Sequence, residues 1–146
     1  MTGSPPAKAH HLQVVLKNKP EEKRKLLAAL QEFARAEHLP ARVLQAADLA
    51  LEELLTNLMT YAFDDTLSHE IVVRCAVDQD HLTIEVEDDG TPFNPLLNPE
   101  VDTSVPLKDK PIGGLGIHLI RKFMDELNYR REAGKNILRM RKRLSS

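Results

Sequence analysis

Cysteine is nearly absent from this 146-residue chain, and its scarcity disfavours two kinds of stabilising site. The single cysteine, Cys75, cannot form an internal disulfide, and it lies in an apolar run that favours a buried strand position. Neither a CxxC nor an HxxxH spacing occurs among this cysteine and the six histidines. The sequence therefore disfavours both a disulfide-stapled fold and a zinc site.

The chain also lacks a surplus of either charge and any long hydrophobic run. A formal net charge of -2 and a pI near 6.3 argue against a dedicated nucleic-acid binder, which needs an excess of Lys and Arg. The basic residues between 139 and 143 fit a solvated strand face better than a binding patch, and we assign them no function. No stretch approaches membrane-spanning length, and residues 1–9 lack the apolar core of a signal peptide. We therefore expect a cytoplasmic protein without membrane contact.

What the sequence does contain is the composition of one soluble domain, with 42% hydrophobic and 29% charged residues. We expect a disordered segment at residues 1–9 and a single domain at residues 10–146. Apolar residues recur with a helical period in three segments and with a strand period in five. The predicted elements are a strand at Leu12–Leu16, helices at Glu21–Glu37 and Pro40–Phe63, strands at Glu70–Val77 and Leu82–Glu87, a helix at Leu115–Asp125, and strands at Asn128–Glu132 and Ile137–Lys142.

The order of these elements predicts the fold class. Two hairpins, one of them closed by residues 133–136, favour a mixed, mostly antiparallel sheet, and the amphipathic helices are expected to cover one of its faces. Between Asp88 and Ile112 the chain carries five prolines and no sustained period, which is typical of a lid or a binding loop. The prediction is an α+β fold, a two-layer α/β sandwich.

Two polar residues interrupt the apolar pattern of the second helix. At 100° per residue, Glu53 and Asn57 fall one turn apart beside the apolar stripe. A carboxylate in such a position needs a compensating partner, because an unpaired buried charge is costly. An ordinary Glu-Asn hydrogen bond at a helix margin would explain the pair equally well. The opposite, solvent edge of this helix is expected to carry Gln45, Asp48, Glu52 and Thr56.

Two glycine-containing segments complete the set of candidate residues. Asp88 and Gly90 follow a predicted strand, where a fixed carboxylate could approach a flat ligand, although Asp-Asp-Gly is also a common turn. The run Gly113-Gly114-Leu115-Gly116 opens a predicted helix, where free backbone amides favour phosphate, although such a run also serves as a hinge. The lysine of a P-loop and the strand context of a Rossmann turn are both missing, so neither fold is favoured.

The order and spacing of these three segments resemble the GHKL superfamily of ATPases, which have the Bergerat ATP-binding fold. The resemblance extends from Leu12 to Leu144, with the N box at Glu53–Asn57 and the G1 and G2 boxes at residues 88–90 and 114–116. Within the superfamily, the chain is most similar to the anti-sigma-factor serine/threonine kinases. The segments that carry this likeness include Asp88 to Pro95 and Gly113 to Ile117. The proline-rich loop then corresponds to the ATP lid.

The resemblance also implies roles for individual residues. Asn57 would offer its side-chain oxygen to Mg²⁺, Glu53 would orient or deprotonate the attacking hydroxyl, and Asp88 would accept a hydrogen bond from the adenine amino group. Gly90 would leave room for the base. The other residues that the resemblance assigns to nucleotide binding are Pro92, Phe93, Gly113, Gly114, Leu115 and Gly116.

The function implied is phosphorylation of a small anti-sigma-factor antagonist on Ser or Thr, with capture of a sigma factor and dimerisation as further family properties. A nucleotide-binding switch without kinase activity is the alternative. A histidine kinase is disfavoured because no helical hairpin with an acceptor histidine precedes the domain.

The chain departs from the superfamily pattern at two places. Pro92 occupies the second glycine position of the G1 box, which predicts a stiffer loop there. The threonine often found near the start of the last strand pair has no clear counterpart in residues 134–137. We therefore expect that a water-mediated contact to adenine is missing, and that ATP binding is retained because the proposed base and metal ligand are both present.

Overall fold

A computed structural model describes residues 11–63, 67–92 and 120–145. Within these residues the chain forms strand β1 (His11–Lys17), helices α1 (Lys23–Ala36) and α2 (Ala41–Asn57), and strands β2 (Glu70–Val77), β3 (His81–Asp88), β4 (Glu126–Glu132) and β5 (Lys135–Arg143). A single 3₁₀ turn, Pro20–Glu22, precedes α1, and a π-helical turn, Leu58–Ala62, follows α2. Among the described residues, no helix has both the length and the apolar character that a bilayer crossing needs.

The five strands form one open sheet in the order β1-β2-β3-β5-β4. All four pairings of the described strands are antiparallel, so the sheet that we expected to be mixed is wholly antiparallel in this part of the chain. The register places Val73 beside Val86, and Val86 beside Leu138. The predicted α+β sandwich is confirmed.

Strand alternation decides which face of the sheet is covered. In β3 the even-numbered residues Leu82, Ile84, Val86 and Asp88 are buried, and the residues between them are only partly buried. The three apolar ones join the buried positions of α1 and α2 in a single core cluster. Burial of this apolar area is the main stabilising term of the fold. Both helices therefore lie on one face, and Asp88 extends the buried row of β3 beyond the apolar residues.

Several element boundaries differ from the prediction. The second helix does not continue as an α-helix to Phe63, because its last turn, Leu58–Ala62, has π-helical geometry. The third predicted helix ends at residue 123, earlier than Asp125, and its start is outside the described residues. Asp48, expected at the solvent edge of α2, is half-buried, and this burial raises the pKa of its carboxyl.

The hairpin between β4 and β5 is also tighter than predicted. Only Ala133 and Gly134 form the turn, and both adopt positive φ, 52° and 77°. A two-residue turn of this hand matches the right-handed twist of the strands. Because the turn is so short, Lys135 pairs directly with Glu132 and Asn136 with Arg131. The last strand therefore begins two residues earlier than the sequence predicted.

Candidate functional site

The C-terminal half of α2 carries the acid and the amide that interrupt its apolar pattern. Glu53 and Asn57 are half-buried, whereas Glu52 and Thr56 are exposed. Lys23 Nζ donates to Glu52 Oε1 at 2.9 Å and to Thr56 Oγ1 at 3.1 Å, so the outer face of α2 is tied to the start of α1. The predicted orientation of the helix is confirmed, since Glu53 and Asn57 lie at the margin of its buried face.

Asn57 has an unusual environment. Its Nδ2 atom is buried and has no hydrogen-bond partner among the described residues. Leaving such a group unpaired costs about 1–3 kcal/mol. Asn57 is also the last α-helical residue before the π-helical turn, and π turns are frequent at functional sites. These two observations mark the end of α2 as a candidate ligand position.

Asp88 is the second candidate residue, at the end of β3 on the helix-covered face of the sheet. It is only 4% exposed. Its Oδ1 accepts hydrogen bonds from Gly90 N at 2.8 Å and from Asn136 Nδ2 at 3.0 Å. Burial raises the pKa of the Asp88 carboxyl, while these two donors oppose the rise. The structure thus brings Asp88 and Gly90 together as predicted and holds the carboxylate in a fixed orientation.

Asn136 is the residue that the sequence reasoning missed. It pairs with Asp88 across β3 and β5, is 5% exposed, and donates from Nδ2 to Thr91 O at 3.0 Å as well as to Asp88. Its Oδ1 accepts from Tyr129 and Arg131. The sequence analysis found no clear counterpart of the superfamily's threonine in residues 134–137, and the structure places a polar side chain from this segment in direct contact with Asp88. A correct prediction of the register of the last hairpin would have placed Asn136 beside Asp88.

A small cluster connects the two candidate regions. The rings of Phe63, directly after the π-helical turn, and His69, directly before β2, stack with centroids 4.5 Å apart. His69 Nδ1 lies 3.0 Å from Oδ1 of Asp89, the residue that follows Asp88. The segment that follows Asn57 is therefore joined through His69 to the turn that follows β3.

The sequence profile of the histidine kinase-like ATPase domain matches residues 16–142, which include all five strands in whole or in part. The chain belongs to this family.

Members of the histidine kinase-like ATPase family with curated names resemble the chain over most of its length. Serine/threonine-protein kinase BtrW of Bordetella bronchiseptica is 30% identical over 113 residues, which are 75% of this chain and 77% of BtrW. Serine-protein kinase RsbW of Bacillus mycoides is 31% identical over 94 residues, or 62% of this chain. The match spans 58% of the length of that RsbW.

A solved structure supports the family fold. The RsbU and RsbW domains of Rv1364c from Mycobacterium tuberculosis superpose on 92% of this chain with a TM-score of 0.66. The sequence identity is 17%, and the match covers 32% of that chain. The likeness therefore concerns the arrangement of the helices and the sheet.

The remaining predicted site residues divide into two groups. Gly90 is buried and Pro92 is exposed at the end of the described segment. The other predicted residues, together with most of the predicted lid, lie outside the described residues; they are Phe93, Gly113, Gly114, Leu115 and Gly116. The glycine run therefore stays a prediction from the sequence.

Proposed function

We propose that this chain is an ATP-dependent protein serine/threonine kinase that acts as an anti-sigma factor. It would phosphorylate a small anti-sigma-factor antagonist on Ser or Thr and sequester a sigma factor. The family is one of ATPase domains, and relatives about 30% identical are named serine or serine/threonine kinases. The observation that carries the proposal is the pair at the end of α2, a half-buried acid one turn before an amide whose buried nitrogen has no partner among the described residues.

Asp88 is the residue proposed to recognise the nucleotide base. Its Oδ1 already accepts two hydrogen bonds, and its second oxygen would accept one from the exocyclic amine of adenine. Gly90 has no side chain that could occupy the space beside the ring. A buried carboxylate that is held by the sheet needs little reorganisation when the base arrives.

Asn57 is the proposed protein ligand of Mg²⁺. Its side-chain carbonyl oxygen is the hard ligand type that Mg²⁺ prefers, so the chemistry of the residue fits the ion. Because Mg²⁺ is commonly held by few side chains plus phosphate oxygens, one amide ligand is compatible with a Mg-ATP site. Bound Mg²⁺ would neutralise charge on the phosphates during transfer.

Glu53 is the proposed general base. Its carboxylate would accept the proton of the partner's Ser or Thr hydroxyl while that oxygen forms a bond to the γ-phosphorus and the bond to the ADP oxygen breaks. Half-burial at the margin of α2 would hold the carboxylate beside the nucleotide without removing it from the incoming hydroxyl.

The test is transfer of label from Mg-[γ-³²P]ATP to candidate antagonist proteins by the purified chain. We expect Glu53→Gln to lower the rate of transfer by about 100-fold or more, because the general base is removed, and to change ATP affinity by less than about threefold. Glu52→Gln is the matched control, since Glu52 is exposed at the adjacent position and its one ion pair within the described part of the chain is with Lys23 at the surface.

Three outcomes would contradict the kinase proposal in different ways. ATP binding without transfer to any partner would favour the nucleotide-binding switch. Full activity in Glu53→Gln would remove this residue from the mechanism. Label recovered on a histidine of the chain itself would point to a different reaction class.

A further inference from the structure

The hydrogen bonds between Asn136 and its described neighbours fix one orientation of its amide. Arg131 Nη1 lies 3.0 Å and Tyr129 OH lies 2.5 Å from the Oδ1 atom of Asn136. An arginine side chain can only donate hydrogen bonds and keeps its charge at any ordinary pH, so the amide oxygen must face Arg131. The amide nitrogen must consequently face the other way, toward Asp88.

The orientation of Asn136 decides how Asp88 is used. Asn136 Nδ2 and Gly90 N both donate to Oδ1 of Asp88, so this oxygen acts as an acceptor and cannot carry a proton without losing one of the bonds. Oδ2 receives no hydrogen bond from the described part of the chain. The two oxygens of the Asp88 carboxylate therefore differ. Oδ1 is bonded to Gly90 and Asn136, whereas Oδ2 is left to accept a hydrogen bond from a ligand.

The turn after β3 is held by the same residues. Asn136 Nδ2 also lies 3.0 Å from Thr91 O, and Arg131 Nη1 donates to Gly90 O at 3.0 Å. The carbonyls of the residues that follow Asp88 are thus held by side chains of β4 and β5, the two strands that lie on one side of β3 in the sheet. The carboxylate and the turn are positioned as one unit.

We propose that Asn136, oriented by Arg131 and Tyr129, is a positioning residue that leaves Asp88 Oδ2 as a pure acceptor and so selects a base with an exocyclic amine over one with a carbonyl at the same place. The inference rests on the proposed function, in which Asp88 receives the adenine amino group. A carbonyl oxygen placed against an ionised carboxylate would be repelled, whereas an amine would donate a charge-assisted hydrogen bond.

The groups around Asp88 shift the pKa of its carboxyl in both directions. Burial and the neighbouring Asp89 carboxylate raise the pKa of Asp88, while the donors on Asn136 and Gly90 and the positive charge of Arg131 lower it. Removing the Asn136 donor therefore favours the neutral acid, whose oxygen is a weaker acceptor. Base selection should then weaken and should require a higher pH.

The experiment compares binding of ATP and inosine triphosphate by isothermal titration calorimetry in Mg²⁺ between pH 6 and pH 8.5. The two bases differ at C6, which carries an amine in ATP and a carbonyl in inosine triphosphate, and at N1, which is an acceptor in ATP and an N–H donor in inosine triphosphate. Asn136→Asp keeps the oxygen that Arg131 and Tyr129 contact and replaces only the donor. Because Arg131 stabilises the new carboxylate, the shared proton goes to Asp88. We expect the wild type to prefer ATP by about tenfold or more, and the variant to lose about tenfold of that preference at pH 7, with partial recovery at higher pH.

Asn128→Asp is the matched control, because it makes the same chemical change at an exposed position of β4. It should leave the preference unchanged. Tyr129→Phe is a milder variant in case Asn136→Asp does not fold. Because Arg131 still orients the amide of Asn136 in this variant, the preference for ATP over inosine triphosphate should fall by only about two- to threefold.

The ratio of the two affinities separates positioning from a structural role. Equal losses of ATP and inosine triphosphate binding in Asn136→Asp, or in Tyr129→Phe if the first variant is unfolded, would overturn the positioning role while the proposed function stands. A folded wild type that binds neither nucleotide would instead overturn the proposed function, and this inference with it.

Discussion

The two ends of the candidate site differ in how completely their polar groups are bonded. At the sheet end, Asp88 and Asn136 are both almost fully buried and are joined to each other and to Arg131. At the helix end, Asn57 has a buried nitrogen without a partner among the described residues, and Glu53 makes no hydrogen bond or ion pair with any of them.

Under the proposed function, this difference would let one site combine base recognition with phosphoryl transfer. At the sheet end, hydrogen bonds join Asp88 Oδ1, Asn136, Arg131 and Tyr129 into one network, and the rigidity of such a network would suit recognition of a flat base. An amide and an acid without such bonds can be completed by an incoming ion or hydroxyl, at the cost of some stability in the free protein. The sheet end is prepared before the ligand arrives, whereas the helix end is completed by it.

The largest expected effect is at Asp88. Asp88→Asn can keep both hydrogen bonds at Oδ1, but it places an N–H donor where the second carboxylate oxygen was. Two donors then face each other, and we expect ATP affinity to fall by about 100-fold or more while the fold is retained. Nucleotide titration followed by calorimetry measures the loss. Affinity within about threefold of the wild type would remove Asp88 from base recognition.

The same variant tests the electrostatics of the sheet end. The pKa of Asp88 is raised above its ordinary value of 3.8, so the folded state holds its proton more tightly than the unfolded state does. The stability contributed by this carboxyl is complete below that ordinary value and is lost as pH rises through the raised value. The free energy of unfolding of Asp88→Asn, relative to wild type, should therefore increase with pH across this window in urea titrations. A difference that is independent of pH would contradict the assignment.

The sequence predicted the helix end better than the sheet end, for a physical reason. The side of α2 on which Glu53 and Asn57 lie follows from a fixed rotation of 100° per residue, so the spacing of residues along the sequence was sufficient. The partner of Asp88 depends on strand register, which a two-residue turn sets. That turn contains Ala133 at positive φ, where an Asn-Gly signal would ordinarily announce it, so Asn136 was read as part of a loop.

The order of the elements was predictable because each amphipathic period is local. The π-helical turn after Asn57 was not, since its cause does not appear in the apolar pattern of residues 58–62. The lack of a clear threonine counterpart in residues 134–137 could be seen in the sequence, but the contacts of Asn136 required the distances to Tyr129 and Arg131. Long-range pairing was thus the missing information.

A pair of asparagine variants compares the two ends directly. In the absence of nucleotide, Asn136→Ala should lower the free energy of unfolding by about 2–4 kcal/mol, because it removes the hydrogen bonds that Asn136 makes to Asp88, Arg131 and Tyr129. Asn57→Ala removes no hydrogen bond within the described residues, and alanine is the better helix former. We expect the free energy of unfolding of Asn57→Ala to equal that of the wild type or to exceed it by up to about 0.5 kcal/mol.

The two variants should also differ in how nucleotide binding depends on Mg²⁺. Here the larger change is expected for Asn57→Ala. For Asn57→Ala, the rise in melting temperature produced by ATP should become independent of Mg²⁺, because the proposed protein ligand is gone. Asn136→Ala should keep the Mg²⁺ dependence of whatever binding remains. Equal Mg²⁺ dependence in wild type and Asn57→Ala would contradict the metal role, and a large loss of stability in Asn57→Ala would erase the contrast between the two ends.

The smallest expected effects concern the turn that sets the register of the sheet end. Ala133 has φ 52°, a conformation that costs an L-residue about 1 kcal/mol but that asparagine tolerates, so Ala133→Asn should raise stability by about 0.5–1 kcal/mol. Gly134 has φ 77° and a Cβ there would meet nothing within 4 Å, so Gly134→Ala should cost about 1 kcal/mol through backbone strain alone. Thermal melts would show shifts of opposite sign, a few degrees each. If the turn acts only by holding the register, Ala133→Asn will leave the relative affinity for ATP and inosine triphosphate unchanged, because the contacts of Asn136 are already formed; a changed ratio would mean that the sheet end is less rigid than its bonding implies.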